Sequence, residues 1–484
     1  MAKASVSSTT CFFLLFLYSL PLFQLTGARR TNLYLRTVEI DALLRPPSRC
    51  NAGKAEGLTN GEEGPSAMKL VDRHGPCSPF HGNVRSTSNS QLAILQRDRS
   101  RVNWINSRIS SSLSPPPNEQ PQDLFSTDAT VSIPAKPGNE LDVGNYIVTV
   151  GLGTPKVDFN LIFDTASDLT WVQCEPCSGY CYPQQGTRFV PSASATYKNI
   201  ACSAQECADV KLESGFNDCK SSNCIYGVAY GDRSYTVGYL SQDTLTLTAN
   251  DSAAGFIFGC GQNNQGLFGL AGGLLGLGRS KLSAISQTAQ KYGSVFAYCL
   301  PTSGEVGQLT FGPDSSYSTA KYTPLLHRDR PFYFVSVTGM SVGAQPLPVA
   351  PSVFATSGTI TDSGTVITRL SPAAYDALRS AFRAAMAKYK MADPLSILDT
   401  CYDFSNTTTI EYPYITFHFQ GGTDLVLDAF NIFYIASASQ ICLAFAANSN
   451  ETDVNIIANI QQRKTLIVHD IPNSRIGFQQ NACN

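Results

Sequence analysis

The sequence predicts a mostly β fold built from two related halves, and three observations predict it. The chain of 484 residues carries 37 Gly and 27 Pro with only 15% charged residues, a balance that favours many turns over a coiled coil or a disordered chain. After residue 140, short runs rich in Val, Ile, Tyr, Phe and Thr alternate with turn clusters. One layout, an aspartate at a strand end followed by hydroxyl and small residues, occurs twice, about 200 residues apart.

The N-terminus comes first. Lys3 precedes the uncharged run CFFLLFLYSLPLFQL, and small residues Thr26, Gly27 and Ala28 lead to Arg29 and Arg30. This order predicts a secretory signal peptide over residues 1–28. The alternatives are a membrane anchor, for which the run is short and contains a proline, and a plastid transit peptide, since no acidic residue precedes Glu39. No second long apolar segment follows, so no membrane span is expected in the rest of the chain.

Residues 29–143 read as a propeptide: loop and linker composition around one amphipathic helix, NSQLAILQRDRSRVNWINSRIS. The bland alternative is a disordered linker. From Leu141 onward, 26 Asp+Glu face 20 Lys+Arg. A basic segment ahead of an acidic body suggests electrostatic cover of a site, and the acidic body argues against nucleic acid as a partner. Strands are expected at YIVTVGLG, FNLIFD, IYGVAYGD, DTLTLTA, GFIFGCG, FYFVSVTGM, GTITDSG, YITFHF, TLIVHD and SRIGFQ. One helix is expected at SPAAYDALRSAFRAAMAKY, with Ser371 as N-cap and Pro372 at its first position.

The repeated layout carries the chemistry. LIFDTASDLTW places Asp164 before Thr165, Ala166 and Ser167; GTITDSGTVITRL places Asp362 before Ser363, Gly364 and Thr365. Each is followed downstream by an apolar pair and a small residue, Leu274–Gly276 and Ile456–Ala458. Two carboxylates brought close together cannot both ionise and share one proton. One then serves as general base on water while the other protonates the carbonyl or the leaving nitrogen, so no nucleophilic side chain is needed.

These two motifs, together with YGDRSYTVGYL, IANIQQRKTLIVHD and DRHGPCSPF, resemble the plant pepsin-like aspartic proteases of the nepenthesin type, including the chloroplast nucleoid DNA-binding group. The resemblance spans nearly the whole chain after the signal. It implies a bilobal double β-barrel with a central catalytic cleft, lobes at 144–330 and 331–484, and acid-acting hydrolysis of extended polypeptides by a secreted monomer without metal or organic cofactor. It makes Asp164 and Asp362 the catalytic pair, with Thr165 and Ser363 cross-linking the two loops. Ser167 and Thr365 would bond the outer carboxylate oxygens, and Tyr230 would sit on a flap over the substrate. The compartment implied is the apoplast, with vacuole or chloroplast as alternatives.

Twelve of the 15 cysteines fall between Cys174 and Cys483, and an even number on a secretory route reads as six disulfides. The resemblance implies the pairs Cys174–Cys177, Cys181–Cys260, Cys202–Cys224, Cys207–Cys219, Cys299–Cys483 and Cys401–Cys442. A rival reading has zinc on CEPCSGYC, which lacks a nearby histidine. His74, His81, His327, His418 and His469 show no ligand spacing. Glycosylation sequons stand at Asn250, Asn406 and Asn450.

Three residues depart from the family pattern where glycine is expected: Ala166, Arg233 at the flap tip and Ala458. The methyl of Ala166 keeps the backbone N–H but adds bulk beside the reacting water, a change of a kind that costs about 1–3 kcal/mol. A non-glycine at positive φ would strain the flap. These departures support an alternative of another class, a protein of this fold that binds its targets without efficient cleavage.

Overall fold

The computed structural model describes residues 35–44, 50, 66–73, 75–80, 88–111, 146–230, 232–302, 305–328, 332–480 and 482–483. The signal segment 1–28, His74, His81 and the junction near 140–144 lie outside them.

The fold is mostly β, and its two halves repeat one construction. Strand Tyr146–Leu152 pairs antiparallel with Val157–Asp164, whose last four residues are flanked in parallel by Gly273–Gly276, so that Gly276 lies opposite Asp164. The same Gly273–Gly276 strand runs antiparallel to Trp171–Gln173, with Leu274 opposite Trp171. In the second half, Thr359–Thr361 is flanked in parallel by Asn455–Ile457, with Ile360 opposite Ile456. Thr368–Leu370 meets that strand with Arg369 opposite Ile456. In each half a strand therefore delivers an aspartate to its end, wedged between two neighbours.

A sheet of hairpins joins the halves. Val295–Cys299 pairs with Val306–Phe311 and Thr465–Asp470, and the latter with Arg475–Gln480, which pairs on with Lys321–Leu326. One further strand, Ser66–Asp72, lies between Val306–Phe311 and Tyr146–Leu152. Its Met68 and Leu70 are buried in the main core. Leu35–Glu39 pairs with Thr409–Pro413, and Ile40 and Leu43 behind it join the same core.

The helix Pro372–Ala385 buries Ala374, Tyr375, Leu378 and Phe382, spacings of three and four that put one apolar stripe on the core. Ser371 is its N-cap residue, but its side chain makes no capping bond. The Ala373 N–H, second in the helix, donates instead to Glu451 Oε1 at 3.0 Å, so a tertiary acceptor replaces the expected local one.

Seven disulfides join described cysteines. Cys299–Cys483 and Cys401–Cys442 are paired as the sequence reading pairs them. Four expected pairs are corrected. Cys174 bonds Cys260 rather than Cys177, because parallel pairing sets Val172 opposite Cys260 and Cys174 follows two residues on, on the same face. Cys177 and Cys181 then close a small loop of their own. Cys202 bonds Cys219 and Cys207 bonds Cys224, the reverse of the expected pairing. Cys219 and Cys224 oppose each other on one hairpin, and burial sorts them: helix Gln205–Ser214 carries buried Cys207 onto buried Cys224, leaving exposed Cys219 for Cys202. A seventh bridge, Cys50–Cys77, ties the N-terminal region to itself.

Candidate active site

The two aspartates are almost fully buried, with Asp164 at 1% and Asp362 at 0% exposure. Their loops interlock. Thr165 N–H donates to Ser363 Oγ at 3.1 Å, and Ser363 N–H donates to Thr165 Oγ1 at 3.0 Å. Each carboxylate also accepts locally: Ala166 N–H to Asp164 at 3.0 Å, Gly364 N–H to Asp362 at 2.9 Å, Ser167 Oγ to Asp164 at 2.6 Å and Thr365 Oγ1 to Asp362. Such donors favour ionised carboxylates and fix their orientation.

Between them lies a third party that the sequence reading did not single out. The helix Ser88–Ser111 crosses the site, and its Arg101 contacts both aspartates. Arg101 Nη1 and Nη2 donate to Asp164 at 3.0 and 2.6 Å, and Nε and Nη2 donate to Asp362 at 3.0 and 2.9 Å. A planar guanidinium with five donors suits two converging carboxylates, which a lysine ammonium would meet only as a point charge. Burial alone would raise the Asp164 pKa, but the charge and hydrogen bonds of Arg101 outweigh it and hold the carboxyl below its ordinary value. Burial opposes the charge of Arg101, yet the two carboxylates push its pKa up.

The rest of the cleft helix is seated by residues on both sides. Ile94 and Leu95 pack with Val366, Ile367 and Leu398. Val102 and Ile105 join Ala166, Phe334, Ile360 and Ile456 in an apolar cluster. Asp98 Oδ1 accepts from Val366 N–H at 2.5 Å, and its Oδ2 accepts from Arg369 Nη2 at 2.7 Å. Arg108 Nη2 donates to the Glu213 carbonyl at 2.6 Å, close to two perturbed carboxyls. Burial pushes Asp168 up to about 6, and burial with the charges of Asp168 and Asp209 pushes Glu213 up to about 8.

Tyr230 stands where the sequence places it, in the hairpin between Asn223–Ala229 and Tyr235–Thr248. Trp171 Nε1 donates to its hydroxyl at 2.8 Å. Burial raises the phenol pKa. Trp104 of the cleft helix reaches its ring at 6.3 Å between centroids. At the turn Arg233 holds φ of 67°, the left-handed conformation expected to strain a non-glycine. Ala458 is different: as N-cap residue it sits at φ −85°, open to any residue, so no backbone demand for glycine exists there. Ala166 is also absent from the residues at positive φ.

The described histidines take structural places. His418 lies between Ser341 and Asp424, His327 contacts Ser474, and His469 stacks on Phe296, with burial lowering its pKa to about 3. Among the described residues no group of His, Cys, Asp and Glu is arranged to hold a metal, and no helix is long and apolar enough to cross a membrane. Asn250, Asn406 and Asn450 are all exposed.

Residues 146–313 match the family described as xylanase inhibitor N-terminal, and 332–480 its C-terminal counterpart. An aspartyl protease family protein of Arabidopsis thaliana is 44% identical over 463 residues, 95% of each chain. The Arabidopsis aspartyl protease AED1 is 41% identical over 92% of each chain. Aspartic proteinase nepenthesin-2 of Nepenthes gracilis is 34% identical over 70% of this chain and 78% of its own. Conglutin gamma, a basic 7S globulin from lupine seeds, has a similar fold with TM-score 0.57 and 19% identity, over 70% of this chain and 92% of that one. On sequence similarity across nearly its full length, the chain belongs to the plant aspartyl protease family, a family of peptide hydrolases.

Proposed function

We propose that the chain is a secreted, acid-acting aspartic endopeptidase made as a zymogen, with signal peptide 1–28, propeptide 29–143 and protease lobes 144–330 and 331–484. The single observation that carries this reading is one guanidinium making four N–H···O contacts to two interlocked, buried aspartates. That arrangement suits a latent site: Arg101 takes the place where the reacting water would sit and sets its one positive charge against both carboxylates. Once the helix leaves, the pair loses its cation and holds one proton between its members. The ionised member then abstracts a proton from water as it attacks the peptide carbonyl, and the protonated member donates to the substrate. Thr165, Ser363, Ser167 and Thr365 keep the carboxylates in register through the hydrogen bonds described above. Tyr230, anchored on Trp171, closes over an extended polypeptide and excludes water. Exposure of all three sequons fits a route through the secretory pathway into the apoplast, vacuole or chloroplast being the alternatives.

The test is digestion of casein at about pH 4 by acid-processed protein, with and without pepstatin. Asp164→Asn and Asp362→Asn are each expected to lower turnover at least about a thousandfold while retaining the fold by circular dichroism. A second reading, binding without efficient cleavage, draws on Ala166 and on the positive φ of Arg233. Correctly processed wild-type protein that is inactive yet retained on immobilised pepstatin would establish that reading instead.

A further inference from the structure

We propose that Arg369 is a specificity residue of the cleft, and that with the Val366 N–H it forms a subsite for an acidic side chain of the substrate. The inference rests on the endopeptidase reading and adds to it a substrate class. It begins from the repeat. In the first half, the residue opposite Leu274 is Trp171, fully buried and bonded to Tyr230 of the flap. In the second half, the residue opposite Ile456 is Arg369. Both stand seven positions after their aspartates. The second half thus puts a guanidinium where the first puts an indole, and that guanidinium is 3% exposed.

A cation so buried requires a partner. Within its own half, Arg369 Nη1 donates only to the Ile367 carbonyl at 2.8 Å, which leaves its charge uncompensated. The compensating carboxylate is Asp98 of the cleft helix, side chain 0% exposed, whose other oxygen takes the Val366 N–H. Asp98 and Arg101 are one helical turn apart, so the carboxylate on Arg369 and the cation on the aspartate pair are held by the same segment. Departure of the helix strips Arg369 of its only carboxylate among the described residues and leaves the Val366 N–H aimed at the same point. Two convergent donors, one of them charged, select a carboxylate over its amide, because an amide presents an N–H₂ group to one of them. Asp98 marks the place a substrate carboxylate would take.

The test uses the full chain processed in acid, with fluorogenic peptides in which Glu is exchanged for Gln at each position in turn, near pH 5.5, where a peptide carboxyl is ionised. At one position Glu is expected to exceed Gln in kcat/KM by about tenfold to a hundredfold. Arg369→Gln should bring that ratio to about one, while Arg369→Lys should keep part of it. The ratio is internal to each preparation, so partial misfolding of a variant does not affect it. A companion measurement needs no turnover. The synthetic segment 88–111 is titrated onto the processed chain, and the same segment with Asp98→Asn is expected to bind about tenfold or more weakly. That difference should vanish on Arg369→Gln. Cleavage with no Glu preference at any position, or equal binding of the two segments to wild-type chain, overturns the subsite. No cleavage at all together with the expected binding difference refutes the endopeptidase reading and keeps the carboxylate site.

Discussion

The two aspartate loops share the hydrogen bonds that orient their carboxylates and, beyond Thr and Ser exchanging places, differ by one methyl group. Asp164-Thr165-Ala166-Ser167 and Asp362-Ser363-Gly364-Thr365 exchange reciprocal backbone-to-hydroxyl bonds, and each third residue donates its N–H to its own carboxylate. The difference is the Ala166 methyl. A Cβ placed on Gly364 would stand 2.3 Å from Arg101 Nη2 and 2.7 Å from Asp164 Oδ1, distances that real Cβ atoms do not show. Ala166, by contrast, lies in an apolar cluster with Val102 and Ile105. The cleft helix presents two faces, a guanidinium leaning over one loop and aliphatic side chains over the other. Glycine is retained where the cation passes, and a methyl is admitted where hydrocarbon covers it. The duplication fixed the hydrogen-bond frame; the asymmetric helix explains where the frame tolerates a side chain.

Three experiments would break or sharpen that comparison. The largest effect is expected from Gly364→Ala. Its methyl meets a carboxylate oxygen that cannot retreat without breaking the loop, and turnover of processed protein should fall about a hundredfold; near-wild-type kinetics would show that the loops are interchangeable after all. Next comes Arg101→Met, read as the pH at which the full chain first cleaves casein. Asp164 is held below its ordinary pKa in the latched state. The latch is therefore complete above about pH 4 and weakens as pH falls toward the depressed value. Burial raises the pKa of Asp98 against the pull of Arg369, so acid does not drive that side chain from its seat. Release thus belongs to Asp164, and Arg101→Met should be active without acid exposure. An unchanged threshold would place the trigger elsewhere. The smallest effect belongs to Ala166→Gly, for which turnover should rise no more than about tenfold. A larger gain would mean that the methyl obstructs the processed site far more than its apolar surroundings suggest.

The strand pattern and both aspartate loops were legible because they are local: alternation marks the strands, and a strand-end carboxylate followed by hydroxyl and small residues is a contiguous signal. Arg101 was not. The helix around it carries Arg97, Arg99, Arg101 and Arg108, and nothing in the sequence distinguishes the one that three-dimensional placement sets over the aspartates. Arg369 was hidden for the opposite reason, lying inside a quoted motif in which a buried guanidinium and an ordinary strand residue look the same. Disulfide partners failed where four cysteines crowd a hairpin and a helix, because burial rather than spacing sorts them. Ala458 shows the reverse: the φ of −85° removes any backbone demand for the glycine that the pattern leads one to expect.

The strand Ser66–Asp72 gives the N-terminal region a second occupation besides guarding the cleft. It is stitched along both margins, to Val306–Phe311 on one side and Tyr146–Leu152 on the other, and it plugs the interior with Met68 and Leu70. Sentinel and mortar are thus one stretch of chain. Cuts on both sides of the helix, before Ser88 and after Ser111, can dismiss the sentinel while the mortar stays, whereas a product begun at residue 144 and stripped of that strand must face water with two raw β margins and an oily socket. The processing proposed above, at 143–144, therefore calls for Ser66–Asp72 to stay seated on the body after the cut.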